Sequence, residues 1–313
     1  MPLQFGRSGL INLGEESSYG AAAALTVTNR IVSATLAESQ ERSRKSFLTQ
    51  SAAAFSTGHF DNFLVVGGSV ELPLFYEGSG MLIKAALGSA ASTGSGPYTH
   101  TYTPSATLPS LTIQLQRGTG SSEKFLGCMI STLSFSGSAG EEIMMSAEII
   151  AQDADARAAA AGSTLGSGRQ VFHFEAGNLT FNSVSYKVRS FECSIDNKLE
   201  RRQVLGDKKT LEPAINDVRE AMFNVTLEME DDNLYNASLD DSAISSDAVL
   251  VFTNSDSDSI TFTLKNAYVT DYSDPVNTFG ALERTLTFQG EADSSNEAIS
   301  IVIVNQQSSA VDN

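Results

Sequence analysis

The side chains best suited to metal binding or nucleophilic chemistry are three histidines and two cysteines, and their spacing argues against both. His59, His100 and His173 lie far apart, with no HxxxH pair and no cysteine nearby. No zinc site is expected. A Ser-His-Asp triad can assemble from distant residues, but no GxSxG elbow supports one. Gly118-Thr119-Gly120-Ser121-Ser122 lacks a following lysine and reads as a hairpin turn. Gly206-Asp207-Lys208-Lys209-Thr210 has the end of a phosphate loop without its leading glycine. Asn254-Ser255-Asp256-Ser257-Asp258-Ser259 alternates carboxylates with small residues, as a calcium loop does, yet lacks the closing glutamate. A solvated turn is the better reading. The sequence therefore presents no catalytic constellation, cofactor site or metal site.

The elements that carry these residues follow from composition. The 313-residue chain is 41% hydrophobic, enough for a sizeable core. Its Val, Ile, Thr, Phe and Tyr are scattered among Ser, Gly and Asn rather than gathered into helical stripes, which predicts a mainly β protein. Cys128 and Cys193 sit in apolar strand-like contexts and are expected as free buried thiols. No apolar run approaches the roughly 20 residues that cross a bilayer. Met1 to Arg7 lacks a secretion pattern, so the expectation is a cytoplasmic product with no membrane partner. A net charge of −17 argues against grip on nucleic-acid phosphates. Residues 156–313 hold 12 bases against 24 acids, so most of that charge lies in the second half.

Along the chain, a glycine-rich arm precedes the strand Val32-Ser33-Ala34-Thr35-Leu36, with Val32, Ala34 and Leu36 expected inward. A long polar segment, Glu38 to His59, follows. Next comes Val70-Glu71-Leu72-Pro73-Leu74-Phe75-Tyr76, where Pro73 predicts an edge or a bulge. Ser79 is placed to cap a short helix from Gly80 to Leu87, and Gly88 to end it. Strands are expected at Tyr98–Tyr102, Leu111–Leu115, Ile130–Ser136 and through Ile143, Met145, Ala147 and Ile149.

The second half repeats this order. Phe191, Cys193 and Ile195 echo the first strand, and Glu200-Arg201 echoes Glu41-Arg42. The polar stretch 206–220 follows, and then Phe223, Val225, Leu227 and Met229 echo Val70 to Tyr76. A short segment with Leu234, Tyr235 and Leu239 echoes the helix. Ile260–Leu264 matches Leu111–Leu115, Ala267–Thr270 matches Met129–Thr132, and Leu286–Glu291 matches the strand at 143–150. A spacing of roughly 150 residues in a constant order predicts internal duplication. The boundaries are 1–152 for the first unit with its arm, 153–169 for an Ala/Gly/Ser-rich connector, 170–304 for the second unit and 305–313 for a flexible tail.

Two β units, each with one short helix and a long polar loop, no catalytic cluster and an acidic balance resemble the major tail tube protein of long-tailed bacteriophages. Gly14-Glu15-Glu16-Ser17-Ser18-Tyr19-Gly20 is similar to the N-terminal pattern of that family, as is the strand and helix from Val70 to Gly88. The resemblance implies tandem β-sandwich or barrel units of the tail-tube type. It implies a structural, non-enzymatic virion subunit, assembled in the host cytoplasm, whose rings stack into a tube that conducts DNA. With two units per chain, three copies would complete a pseudo-sixfold ring.

The implied partners are further copies of itself, the tape measure, terminator and distal tail proteins, and passing DNA that is not tightly bound by an acidic lumen. Glu41, Arg42, Arg44, Lys45, Glu200, Arg201, Arg202, Lys208 and Lys209 are the expected inter-ring loop contacts. Val70, Leu72, Leu74, Phe223, Val225 and Leu227 are the expected inter-subunit strands. Other readings are a different β-rich tail or head-completion protein, which would form no filament alone, and a surface-layer or adhesin module, which calls for a secretion signal. An enzyme calls for ionisable residues clustered in a cleft.

Overall fold

The computed structural model describes residues 9–45, 58–118, 120–158, 170–173, 177–228, 234, 246–254, 258–273, 282–294 and 297–311. The strands begin with β1 (Leu10–Glu15), β2 (Val27–Arg30), β3 (Ser33–Ala34), β4 (Ala37–Lys45) and β5 (Gly58–Pro73). Helix α1 (Gly80–Leu87) precedes β6 (Gly88–Gly94), β7 (Tyr98–Pro104), β8 (Leu111–Gln116), β9 (Ser122–Ser138), β10 (Met144–Ala151) and β11 (Asp153–Ala154). Then come β12 (Asn178–Phe181), β13 (Val184–Tyr186), β14 (Val188–Asp196), β15 (Leu199–Arg202) and β16 (Leu211–Ile215). The last are β17 (Glu220–Glu228), β18 (Ser246–Thr253), β19 (Ser259–Ser273), β20 (Glu283–Gln289) and β21 (Ile299–Asn305).

Period-two alternation makes these segments strands with one apolar face. In β17, Ala221, Phe223, Val225 and Leu227 are buried while Met222, Asn224, Thr226 and Glu228 face out. Eight strands form one antiparallel layer in the order β4–β5–β10–β9–β14–β17–β20–β19, with β3 beside β5 on the β4 edge. A second sheet runs β13–β12–β18–β19–β21–β7–β6, and a third runs β2–β1–β8–β9–β11.

Strands β9 and β19 pass from the long layer into a covering sheet, and both bulge on the way. Opposite β10, the register of β9 jumps from Thr132 to Ile130; opposite β20, that of β19 jumps from Asp271 to Val269. The order β4–β5–β10–β9 is thus followed by β14–β17–β20–β19, and β2–β1–β8–β9 has a counterpart in β13–β12–β18–β19. By sheet position the counterpart of Leu111–Leu115 is β18. Ile260–Leu264 instead corresponds to the first half of β9, which corrects the pairing expected from sequence. The apolar faces meet in one contiguous core. Phe135 packs on Phe262 at 4.9 Å, Phe191 on Phe252 at 4.9 Å and Phe181 on Phe288 at 5.0 Å.

The helix forms where expected, and every residue of it but Lys84 is buried. The Ser79 hydroxyl does not cap it; that oxygen accepts from the Phe75 N–H at 3.1 Å. Gly88 ends it at φ 107°, and a Cβ there would meet the Thr107 carbonyl oxygen at 2.6 Å. The matching helical segment of the second half lies largely outside the described residues, with Leu234 helical and buried.

Several expectations are corrected. Val70 to Tyr76 and Phe223 to Leu227 are interior strand segments and not sheet edges. Val70 pairs with Ala147 on one side and Ala34 on the other. Phe223 lies between Cys193 and Phe288, and Val225 between Phe191 and Leu286. Pro73 ends β5, so its missing donor interrupts no central ladder. A period-two pattern fixes which face is buried and says nothing about how many neighbours a strand has.

Val32, on the sheet's margin, is 61% exposed, while Leu36 is fully buried. The glycine-rich N-terminal arm contributes to the core, with Ile11 and Leu13 of β1 fully buried. Asp153–Ala154 pairs with β9 and Ala158 bridges Ser122, at the start of the stretch expected as a connector; residues 159–169 lie outside the described residues. The supposed tail is docked as far as Val311. The Tyr102 hydroxyl donates to the Ala310 carbonyl at 2.7 Å, and Asn305 Nδ2 donates to the Tyr76 carbonyl at 2.6 Å.

Candidate functional site: the sheet face and its hairpins

The eight-stranded layer turns its apolar side to the core and a polar side outward. Ser69 and Glu71 of β5, Ser146 and Glu148 of β10, and Thr132, Ser134 and Ser136 of β9 lie on that outward side. Glu192 and Ser194 of β14, Asn224 and Thr226 of β17, and Thr285 and Thr287 of β20 continue it. Its polar side chains bond one another across strands. Thr35 Oγ1 and Ser69 Oγ are 3.0 Å apart, and Thr287 Oγ1 donates to Asn224 Oδ1 at 2.8 Å.

Among the described residues, the bases that reach this face are already engaged. Arg189 is held between Glu228 and Glu283, and the Glu228 hydrogen bond is the chief cause of its raised pKa. Lys198 bridges Asp196 and Glu220, each at 2.8 Å, and hydrogen bonding to the Asp196 carboxylate first raises its pKa. The result is a surface of small hydroxyls and unneutralised carboxylates such as Glu148 and Glu192, both exposed.

Two hairpins project from this layer. The polar segment after Ala37 is a ladder of β4 on β5, and the stretch after β14 is the hairpin β15–β16, where sequence reading expects loops. Residues 46–57 lie outside the described residues, as does the Lys45 side chain. The hairpins pack on each other within one chain. Asp61 stands between Arg42 at 3.3 Å and Lys208 at 3.1 Å, and the Leu64 N–H donates to the Lys208 carbonyl at 2.8 Å. The Lys208 hydrogen bond and charge hold the Asp61 carboxyl below its ordinary range, with Arg42 assisting.

Arg201 is half-buried and turned inward. Its Nη2 donates to the Val66 carbonyl at 2.6 Å, and burial lowers its pKa. Gly67 is required there, because a Cβ would lie 2.6 Å from the backbone carbonyl oxygen of Ile149. Lys209 pairs with Asp153, which raises its pKa. Of the nine expected loop residues, Arg42, Arg201, Lys208 and Lys209 therefore hold this chain's own hairpins together. Glu41, Arg44, Glu200 and Arg202 remain at least partly exposed.

One cluster has no counterpart in the residue patterns singled out for chemistry. Glu16, 8% exposed, accepts from Ser110 Oγ at 2.7 Å, Thr112 Oγ1 at 2.9 Å, and the Gly127 and Gly20 N–H groups at 2.9 Å each. Four donors on one carboxylate fix the turn after β1 against β8 and β9. Next to it, the Tyr19 hydroxyl donates to the Leu211 carbonyl at 3.3 Å, tying this turn to the β15–β16 hairpin. Desolvation raises the Tyr19 pKa. The available sequence signal was an acid in a Gly/Ser turn whose partners lie some hundred residues away.

The residues first weighed for metal or nucleophilic chemistry are dispersed. His100 is buried, Nδ1 lying 2.9 Å from Ser92 Oγ and Nε2 2.8 Å from the Gln307 carbonyl oxygen. Cys128 and Cys193 are free and fully buried, and desolvation pushes both thiols up. Arg117 N–H donates to the Ser121 carbonyl at 2.8 Å, closing the β8–β9 hairpin at the glycine turn. Asn254 and Asp258 bond each other at the base of the Asp-rich turn, whose residues 255–257 lie outside the described residues. Among the described residues there is no group of three His, Cys, Asp or Glu placed to hold a metal, and no helix long and apolar enough to cross a membrane.

Comparison with known proteins agrees with this geometry. A family model described as phage tail tube protein matches residues 6–291. No curated protein matches the chain.

Proposed function

Since the chain belongs to the phage tail tube protein family, and is thus a structural component of the virion tail, we propose how its copies build the tube. The chain is a tandem duplication, with units at 1–152 and 170–304 around the connector, and three copies form a pseudo-sixfold ring. Supporting this are the strand order repeated in the long layer and the bulges at matching places in β9 and β19. Ring closure uses a heterologous side-to-side contact, and stacking uses a second heterologous contact that never closes.

The polar face of the eight-stranded layer lines the bore. The observation that carries this reading is the pairing of Arg189 and Lys198 with acids on that face, with Glu148 and Glu192 left exposed. Such a wall offers phosphates no counterion release and lets DNA slide. The β4–β5 and β15–β16 hairpins, with Glu41, Arg44, Glu200 and Arg202, contact the next ring. The tape measure, terminator and distal tail proteins meet the tube inside and at its ends, and assembly takes place in the host cytoplasm.

Negative-stain microscopy of the purified protein, concentrated or seeded with tail tips, tests the proposal. Annular particles with the mass of three chains, stacking into tubes, are expected. Monomers alone under both conditions would overturn it.

A further inference from the structure

The long layer ends in two margins that carry no further strand among the described residues. One is Ser33–Gln40 of β3 and β4, laddered to β5; the other is Thr270–Ser273 of β19, laddered to β20. Open edges of this kind are templates for another strand unless something covers them. The chain itself already contains one joint between a strand in the position of β19 and a strand in the position of β4. That joint is β9 against β14, in the middle of the layer.

The two bulges place the halves in register. Ser131, skipped in β9, corresponds to Thr270, skipped in β19, while Glu148 and Ile149 opposite the first bulge correspond to Thr287 and Phe288 opposite the second. Ile149 pairs with Gly68 and Phe288 with Phe223, so Gly68 corresponds to Phe223 and Val70 to Val225. One strand further on, Ala34 opposite Val70 corresponds to Phe191 opposite Val225, and Ala37 opposite Gly67 corresponds to Ser194 opposite Met222.

From this correspondence we infer that a second copy of this chain seats its β3–β4 margin on the Thr270–Ser273 margin in the register of the internal joint. The inference rests on the ring-forming reading above and specifies its side-to-side contact. Within the chain, Asp196 lies opposite Thr132 and Ser194 opposite Ser134, and the Asn197 N–H donates to the Ser131 carbonyl at 2.8 Å. Between copies, Ser39 therefore lies opposite Asp271 and Ala37 opposite Ser273, and the Gln40 N–H donates to the Thr270 carbonyl.

The inner row supports the same register. Glu38 takes the place of Ile195 and arrives opposite Tyr272, over whose ring the Arg284 guanidinium stands at 5.1 Å. An exposed acid on one margin thus meets a ring backed by a buried cation of β20 on the other, whereas the internal joint has Ile195 against Leu133. The contact is head-to-tail, so each copy leaves one margin of each kind for the next, as a closed ring requires.

Cysteine pairs test the register, because a disulfide forms only where Cβ atoms approach to about 4 Å. Ser39 with Asp271 and Ala37 with Ser273 occupy non-hydrogen-bonded positions on the polar face, where cross-strand side chains are closest. The S39C/D271C and A37C/S273C variants are assembled, checked for rings by microscopy, oxidised and run without reductant. The expected result is a shift of monomer to chain multiples for both pairs, with no shift for the single variants or for the mismatched pair S43C/D271C. Rings without cross-linking by either matched pair, or with equal cross-linking by the mismatched pair, overturn the register while leaving the ring intact. Dimers from S39C alone would show a symmetric margin-to-margin contact and overturn it as well. Loss of rings in the unmodified protein is the separate failure of the ring reading.

Discussion

Arg219 donates from Nε to Asn197 Oδ1 at 2.8 Å, and Asn197 donates from Nδ2 to the carbonyls of Ala86 and Ile130 at 2.9 Å each. Asn197 is fully buried just after β14, while Ala86 lies in the last turn of α1. Arg219 also donates to the Ser105 carbonyl at 2.9 Å and the Ala86 carbonyl at 3.2 Å, so one amide and one guanidinium satisfy the carbonyl end of α1. Burial lowers the Arg219 pKa. The two halves are joined here by polar groups as well as by their common core.

Asn197→Ala leaves the Arg219 guanidinium and two buried carbonyls short of partners. The expected cost is about 2–3 kcal/mol, within the range for a broken buried network. Urea unfolding of the unassembled chain should show a lower midpoint with an unchanged slope.

Asp61 supplies a pH dependence. Its folded pKa lies below the ordinary carboxylate value because of Lys208 first and Arg42 after it. A carboxyl lowered on folding contributes fully above its unfolded value of about 3.9 and loses that contribution as pH falls through the lower folded value. Hydrogen-exchange protection in β15–β16, taken relative to intrinsic exchange at each pH, should therefore fall below about pH 4. Asp61→Asn should show the faster exchange already at neutral pH, and equal rates for the two proteins there would refute the link.

The hairpins separate two roles by charge reversal. Arg42→Glu breaks the ion pair with Asp61 at 3.3 Å and should loosen the hairpin in the free chain. Arg44→Glu alters an exposed position and should leave the free chain's stability within about 0.5 kcal/mol while weakening ring stacking. Tube lengths measured by microscopy at two salt concentrations decide this; unchanged lengths for Arg44→Glu remove that residue from the stacking contact.

The polar face makes a prediction about transport. Glu192→Lys places a base on a surface whose other bases are engaged by acids. Virions assembled with this variant should eject DNA more slowly, and added salt should restore the rate, since phosphate contacts weaken steeply with ionic strength. Equal ejection rates at low salt would place Glu192 outside the bore.

Gly80 tests the docked C-terminus. A Cβ at this helix position would lie 2.0 Å from the Ala310 carbonyl oxygen and 2.2 Å from the Tyr102 hydroxyl. Gly80→Ala should leave the helix intact and displace residues near Ala310. Limited proteolysis should then trim the C-terminus faster, and Tyr102→Phe, which removes the 2.7 Å hydrogen bond, should produce a smaller effect in the same direction.

By itself the sequence determined the β class, the helix from Gly80 to Leu87 and the inward residues of most strands, because period-two and helical spacing state locally which face is apolar. It also carried a likeness to the tail tube family. Only the tertiary structure decided that β5 and β17 are interior strands while β4 and the end of β19 are margins. A strand's neighbours depend on hydrogen bonds to residues far away, as when Val70 meets both Ala147 and Ala34. The same reason hid the Glu16 clamp, the inward turn of Arg201 and the docking of Ala310. Each rests on one polar atom meeting a backbone group or hydroxyl from a distant stretch, and no spacing along the chain records such a meeting.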